Sequence, residues 1–215
     1  MLQKLIIMIK RALIFDLDDT IYATKSVVED MYKELYSFLE GRVNPEVITN
    51  IKEDIKTTPF HVIADRYALQ KNIKDEGLKI CLDMDYHGLM EPFADYELTK
   101  NNSAERFLVT AGYTKLQKAK IRQLGIRNDF REIFIPDPYT SELTKTDVFQ
   151  HILASYNYQP SEVLVIGDNP ETEIAAGKEL GMETYLYDYE EKYSPALAYY
   201  YGSSYHNFTE IEIIK

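Results

Sequence analysis

Two hydrophobic patterns divide the chain. Short apolar runs end in polar residues at four places, and such a run is typical of a buried parallel strand that delivers polar groups at its carboxyl end. The predicted strands cover residues 11–15, 107–109, 133–135 and 163–166. Helical patterns follow the later strands, at residues 115–124, 146–156 and 171–180. Strands that alternate with helices at this spacing predict an α/β fold with a doubly wound, Rossmann-like parallel sheet.

A helical repeat replaces the strand-like runs after the first predicted strand. A capping-box pattern at Ser26 and Glu29 predicts a helix that ends before Gly41, and a second helix is predicted to start at Asn44 and Pro45. Weaker patterns predict two more helices, at residues 60–70 and 76–90.

These helices predict a second domain inserted into the first. We expect an all-helical cap domain at residues 22–91, and an α/β core domain formed by residues 1–21 and 92–215. About 70 residues suffice for a small helical bundle.

Composition and charge narrow the possible partners. The net charge of −11 and the pI of about 4.9 would repel a nucleic-acid polymer. Cys81 is the only cysteine, so an internal disulfide is impossible, and this fits a reducing compartment. Residues 1–11 contain an apolar run too short for a membrane span or a signal peptide. We therefore expect a cytoplasmic protein without a membrane partner, which starts at either Met1 or Met8; the oligomeric state stays open.

The densest group of acids follows the first predicted strand, in the segment Asp16-Leu17-Asp18-Asp19-Thr20. Side chains alternate along an extended segment, so Asp16 and Asp18 should project to one side and Asp19 to the other. Two carboxylates about 4 Å apart repel each other by about 4 kcal/mol at an effective dielectric of about 20. A divalent cation or a retained proton is needed to hold them together.

Further polar groups follow the later strands. Thr110 offers a hydroxyl, and Ala111 an open backbone amide. Lys145 lies in the first turn of a predicted helix, where the helix dipole disfavours a cation unless an anion is near. Asp168 follows the fourth strand, and Glu173 comes five residues later. Because carboxyl ends of parallel strands meet at one edge, a single cleft can collect these groups.

These residues resemble the haloacid dehalogenase (HAD) superfamily, and the insertion resembles its C1-type helical cap. The family's four motifs appear in order, as Asp16, Asp18 and Thr20; as Thr110; as Lys145; and as Gly167, Asp168 and Glu173.

The resemblance implies a phosphatase-like hydrolase. Asp16 would be the nucleophile that forms an aspartyl-phosphate, and Asp18 the general acid and base. Thr110, the backbone amide of Ala111 and Lys145 would bind phosphoryl oxygens. Family members that displace halide lack an acid at the place of Asp18, so its presence favours phosphate esters.

The resemblance also implies a Mg²⁺ cofactor, held by the Asp16 carboxylate, the Asp18 main-chain carbonyl and Asp168. The last acid of the fourth motif is usually Asp and is Glu173 here. The longer side chain can contact the metal directly or through water.

The expected function is Mg²⁺-dependent hydrolysis of a small phosphate monoester, with a small phosphorylated metabolite as partner. Two alternatives stay open: a phosphomutase of the β-phosphoglucomutase type, and a noncatalytic regulator that binds phosphate or metal. The substrate cannot be read from the motifs, because specificity depends on cap residues that follow no pattern.

Overall fold

The computed structural model describes residues 9–211 and residue 213, and within them it contains a parallel sheet of six strands. The order across the sheet is β3-β2-β1-β4-β5-β6. The strands are β1 (Ala12–Phe15), β2 (Glu105–Val109), β3 (Glu132–Phe134), β4 (Val163–Gly167), β5 (Glu183–Tyr187) and β6 (Tyr200–Gly202). The predicted α/β class with a Rossmann-like sheet is confirmed.

The central strand β1 determines where the site lies. All four of its residues are fully buried, as expected for a strand that is covered on both faces. Phe15 pairs with Leu108 of β2 and with Ile166 of β4. The strand order reverses beside β1, and such a reversal leaves a crevice at the carboxyl ends of the strands. The segments after β1, β2 and β4 therefore meet at one edge.

Strands β5 and β6 were not predicted from the pattern. Their segment is rich in tyrosine and lacks a continuous aliphatic run. Tyr185, Tyr187 and Tyr205 are buried, and the rings of Tyr187 and Tyr205 stack with centroids 4.3 Å apart. This tyrosine-rich segment thus packs within its own chain.

The helices of the α/β part are α6 (Thr114–Leu124), α7 (Lys145–Tyr156) and α8 (Glu173–Glu179). Helix α6 ends as predicted at Gly125, which has a left-handed φ of 68°. Helix α7 begins with a capping box between Thr144 and Asp147. Helix α8 begins two residues later than predicted, after Thr172.

Five helices lie between β1 and β2: α1 (Val28–Met31), α2 (Lys33–Leu39), α3 (Pro45–Asp54), α4 (Phe60–Arg66) and α5 (Lys71–Asp83). The prediction of one helix from Ser26 to Gly41 was wrong. Val27 has non-helical dihedral angles, and the Ser26 hydroxyl donates to the Ala23 carbonyl instead of forming a capping box. The predicted apolar face is nevertheless buried at Val27, Val28, Met31, Leu35 and Leu39.

The ends of the next helices follow from local backbone conformation. The Asn44 side chain accepts from the Glu46 amide, so α3 starts as predicted. Helix α4 stops before Ala68, whose φ is 50°, so it is shorter than predicted. Helix α5 begins at Lys71, before the predicted 76–90 range, and ends at Asp83, short of its predicted end, because Met84 is no longer helical.

Buried side chains of α1 to α5 join the same hydrophobic cluster as one face of the sheet. The division into a core and a cap with boundaries at residues 22 and 91 stays a prediction. Met1 and Met8, the two candidate starts, lie outside the described residues. No helix within the described part of the chain is long and apolar enough to cross a bilayer.

Candidate active site

The acidic segment after β1 opens onto a cavity of about 190 Å³ between the sheet edge, α1 and the loop that joins α3 to α4. The Asp16 amide still donates to the Ile166 carbonyl at 2.9 Å, so the backbone continues the sheet up to this residue. Every residue predicted for the site lines this cavity: Asp16, Asp18, Thr110, Ala111, Lys145, Asp168 and Glu173. A wider depression of about 800 Å³ on α1, α2 and α5 contains none of them.

Lys145 joins two of the acids. Its Nζ atom donates to Asp16 Oδ1 at 2.6 Å and to Glu173 Oε2 at 2.7 Å. Burial acts to lower the pKa of Lys145, but Asp16 and then Glu173 outweigh burial and raise that pKa overall. The capping box at Thr144 fixes the start of α7, so this lysine stays charged in one place beside Asp16.

The Glu173 carboxylate accepts hydrogen bonds from three groups: the Lys145 ammonium, the Asn169 amide and the Thr172 hydroxyl. The Asn169 amide donates to its Oε1 at 2.7 Å, and the Thr172 hydroxyl to its Oε2 at 2.5 Å. Burial opposes its ionisation, but Lys145 and these hydrogen bonds hold the pKa of Glu173 below its usual value. A Cβ atom at Gly167 would lie 2.1 Å from Glu173 Cγ, so only glycine lets this side chain enter.

Carboxylate oxygens of Asp16, Asp168 and Glu173 lie within 4.8 Å of one another. Burial, followed by the charges of Glu173 and Asp16, raises the pKa of Asp168 to about 9. Burial and Glu173 raise the pKa of Asp16 to about 7, although Lys145 acts in the opposite direction. A crowded set of hard oxygen donors is what Mg²⁺ prefers, so these residues fit the ion.

Asp18 is bound differently from Asp16. Lys120 Nζ lies 2.9 and 3.0 Å from its two carboxylate oxygens, and Gln117 Nε2 donates to Oδ2 at 3.1 Å. The Tyr22 hydroxyl donates to Oδ1. Although burial opposes ionisation, Lys120 and then the Tyr22 hydrogen bond lower the pKa of Asp18. The Asp18 side chain is thus an anion held by three donors and stands apart from the acidic cluster.

Gln117 also connects Asp18 to the segment after β2. Its Nε2 atom donates to Thr110 Oγ1 at 2.5 Å and to the Ala111 carbonyl at 3.3 Å. Gln117 and Lys120 were missed by the sequence analysis. Their three-residue spacing puts them on one face of α6, but α6 has other polar residues, and nothing in the sequence shows which of them face Asp18.

The backbone turns sharply after Asp18. Asp19 has a φ of 51°, in the left-handed region that aspartate tolerates better than most residues. Its Oδ1 atom accepts from the Thr24 amide at 2.9 Å and from the Tyr189 hydroxyl at 3.0 Å. Strand alternation therefore ends at Asp19, which lines the cavity as well instead of projecting away from it.

The parallel sheet, its reversal beside β1 and the acidic cavity at that edge define an α/β protein with a carboxylate-rich candidate active site. The family model of the haloacid dehalogenase-like hydrolases matches residues 10–181. The chain therefore belongs to that family, as the motifs indicated.

Two curated relatives match most of the chain. A glyceraldehyde 3-phosphate phosphatase of Pyrococcus furiosus is 25% identical over 194 residues, which are 83% of this chain and 81% of that protein. The putative HAD-hydrolase YfnB of Bacillus subtilis is 23% identical over 193 residues, 81% of this chain and 82% of that protein.

Solved structures share the fold. The magnesium-bound crystal structure of the Bacillus subtilis protein superposes with a TM-score of 0.68 at 16% identity, over 94% of this chain and 98% of the other. The L-2-haloacid dehalogenase of Xanthobacter autotrophicus superposes with a TM-score of 0.61 at 12% identity, over 94% of this chain and 98% of the other. Phosphatases and dehalogenases thus both resemble this chain, and the fold alone does not separate them.

Proposed function

We propose that the protein is a Mg²⁺-dependent phosphohydrolase that acts on a small phosphate monoester through an aspartyl-phosphate on Asp16. One observation carries the proposal. The Asp16 carboxylate faces the cavity beside a charged lysine, and a second aspartate stands two residues away on the same cavity. A nucleophile, a cation for the phosphoryl oxygens and an acid are therefore close together.

Asp16 and Asp168 would hold the Mg²⁺, together with the main-chain carbonyl of Asp18. The bound ion supplies positive charge that offsets the repulsion between a carboxylate and a phosphate dianion. Glu173 binds Lys145 strongly, so we assign it to positioning that lysine beside the metal site.

In the first half-reaction an Asp16 oxygen forms a bond to phosphorus while the bond from phosphorus to the ester oxygen breaks. Lys145, Thr110 and the Ala111 amide bind the phosphoryl oxygens. Asp18 gives a proton to the leaving oxygen and, in the second half-reaction, takes one from the water that cleaves the aspartyl-phosphate. The negative charge of an arriving phosphate raises the pKa of Asp18, which favours its protonation before the first step.

Asp18 also separates the ester reaction from halide displacement. A halide leaves as a stable anion and needs no proton, whereas an alkoxide leaving group does. Three side chains donate hydrogen bonds to Asp18 and hold it at the edge of the cavity. Halide displacement would not require an acid held in this way.

The partner proposed here is a small phosphorylated metabolite, because the cavity is small and carries no basic groove for a polymer. We also propose a cytoplasmic location, on the ground that the sole cysteine, Cys81, is a buried free thiol.

Phosphate release from a panel of metabolites with Mg²⁺ tests the proposal. We expect EDTA to abolish release, and Asp16→Asn to lower turnover by at least about 10³-fold because it removes the covalent nucleophile. Asp75→Asn, a change at an exposed aspartate of α5, serves as the matched control and should retain full turnover.

Turnover by Asp16→Asn at the wild-type rate would sink the proposal. A bisphosphate-dependent isomerisation instead of phosphate release would favour the β-phosphoglucomutase-like alternative. Absence of any turnover in the wild type, across the whole panel, would favour the noncatalytic regulator.

A further inference from the structure

Tyr32, between α1 and α2, lines the cavity opposite the motif residues. Its side chain is 9% exposed, and its hydroxyl makes no hydrogen bond to any described residue. Burial and then the Cys81, Asp18 and Tyr113 side chains raise the pKa of this hydroxyl well above its usual value, so it stays protonated. The hydroxyl is not sealed from the cavity, so it can donate a hydrogen bond to a molecule that enters there.

Two other tyrosines near the cavity, Tyr113 and Tyr22, have hydrogen-bond partners for their hydroxyl groups. The Tyr113 hydroxyl lies 3.0 Å from His61 Nδ1, and the Tyr22 hydroxyl donates to Asp18. The Tyr36 hydroxyl also lacks a partner, but Tyr36 is not among the residues that line the cavity. The Tyr32 hydroxyl keeps contact with solvent in the cavity, so water can occupy its free hydrogen-bonding position, and a ligand oxygen beside Tyr32 would replace that water.

The cavity also limits the size of the ligand. Its volume of about 190 Å³ lies below the range of about 300–1,000 Å³ that is usual for pockets of drug-sized ligands. A phosphate group and a leaving group of a few carbon atoms fit this space, and a nucleotide does not.

The charges of the cavity disfavour a second anionic group. Three lysines line it, and each is already paired: Lys56 with Glu53, Lys120 with Asp18, and Lys145 with Asp16. The remaining charged side chains on its wall are acidic. A carboxylate or a second phosphate on the leaving group would have to take a lysine from its partner.

We propose that Tyr32 selects the leaving group by donating a hydrogen bond to its hydroxyl or carbonyl oxygen. The substrates are then phosphate monoesters of short, uncharged, oxygen-bearing alcohols. This inference rests on the proposed function and adds a specificity residue and a substrate class to it.

The test compares two esters that differ only in hydroxyl groups. Glycerol phosphate carries oxygens for Tyr32, and propyl phosphate has the same carbon chain without them. We expect Tyr32→Phe to lower kcat/KM for glycerol phosphate by about 3- to 10-fold, as for the loss of one neutral hydrogen bond, and to leave kcat/KM for propyl phosphate unchanged. The matched control is Tyr36→Phe, which removes a buried hydroxyl outside the cavity and should change neither value.

A second arm tests the charge of the leaving group. Wild-type kcat/KM should be at least about 10-fold lower for phosphoglycerate and for fructose bisphosphate than for glycerol phosphate. Circular dichroism and thermal unfolding check that both variants are folded.

Different results would contradict the role of Tyr32, the uncharged substrate class and the proposed function. If Tyr32→Phe leaves both esters unaffected, or slows both equally, Tyr32 does not select the leaving group, and the proposed function stands. If phosphoglycerate is the better substrate, the uncharged class is wrong. If the wild type releases phosphate from none of the esters, the proposed function fails and the inference fails with it.

Discussion

Glu173 reaches Lys145 only because residue 167 has no side chain. In Gly167→Ala the new Cβ would meet Glu173 Cγ at 2.1 Å, so the carboxylate must move away from Lys145. We expect phosphate release to fall by roughly 10²-fold, since a displacement of about 1 Å in a positioned catalytic group costs about that much. Steady-state kinetics on the folded variant measure the loss.

Gly177→Ala is the control for that substitution. Its Cβ would meet Thr184 Cγ2 at 2.8 Å and Val165 Cγ2 at 3.1 Å, away from Glu173. Overpacking there should cost about 1–3 kcal/mol of stability and leave kcat unchanged below the melting temperature. If Gly167→Ala also changed only stability, Glu173 would not be the group that positions Lys145.

At the scale of single residues, chain order and strand ends were enough to predict which acids and which lysine would meet. Asp16, Asp168 and Lys145 follow buried strands or begin a capped helix, so the backbone fixes their places. Gln117 and Lys120 could not be predicted, because their positions depend on how α6 is rotated against Asp18. That rotation depends on three-dimensional packing, which the sequence pattern leaves open.

At the scale of elements, α6 supplies two of the three donors that hold Asp18. We expect Lys120→Met to lower kcat by about 10- to 100-fold with a smaller change in KM, because the general acid–base role proposed for Asp18 depends on the placement of its carboxylate. Lys120→Arg should recover part of kcat, since the guanidinium can still donate to both oxygens. Kinetics with a saturable phosphate ester separate kcat from KM.

Lys118→Met provides the comparison on the same helix, because Lys118 is exposed and should be replaceable without effect. The contrary result is an equal fall in kcat/KM in Lys120→Met and Lys120→Arg that comes from a higher KM, with kcat unchanged. It would mean that Lys120 binds substrate and does not position Asp18.

The helix predicted from Ser26 to Gly41 was wrong for a reason that its apolar pattern does not reveal. The segment from Thr24 to Leu39 has a helical apolar pattern, yet its backbone breaks at Val27 and again at Tyr32. The break at Tyr32 coincides with the residue that faces the cavity. The local pattern therefore predicted the buried face correctly, whereas the backbone path depends on how α1 and α2 pack beside the site.

At the scale of the molecule, aromatic side chains pack at the β5–β6 side of the sheet and connect this side to the candidate site. The Tyr205 hydroxyl donates to the Thr20 carbonyl at 2.6 Å, so the tail beyond β6 is joined to the segment that carries Asp16 and Asp18. Tyrosine has both an apolar ring and a polar hydroxyl, so it does not mark a position as buried or exposed in a sequence pattern. For this reason β5 and β6 were not predicted, whereas the aliphatic strands β1 to β4 were.

The acidic cluster should make the stability of the whole molecule depend on both pH and Mg²⁺. A carboxyl whose folded-state pKa exceeds its unfolded value holds its proton more tightly when folded, so folding is favoured at low pH and loses that advantage as pH rises through the folded pKa. Both Asp16, at about 7, and Asp168, at about 9, are raised from 3.8. The lowered pKa values of Asp18 and Glu173 act in the opposite direction, but only below about pH 5.

Without metal, Asp16 and Asp168 should therefore lower the melting temperature as pH rises from about 5 to about 9. In the proposed metal site Mg²⁺ would bind the ionised carboxylates, so the stabilisation that it provides should grow over the same range. At a concentration of about 100 times its Kd the ion adds about 2.7 kcal/mol, or roughly 5–10 °C for a chain of this size. Thermal unfolding with EDTA and with Mg²⁺ across this pH range measures both effects without any substrate.

The variant Asp168→Asn, which removes one of the acids, serves as the control. The rise in melting temperature caused by Mg²⁺ should shrink in this variant, and the pH dependence should flatten. An undiminished rise would place the metal elsewhere.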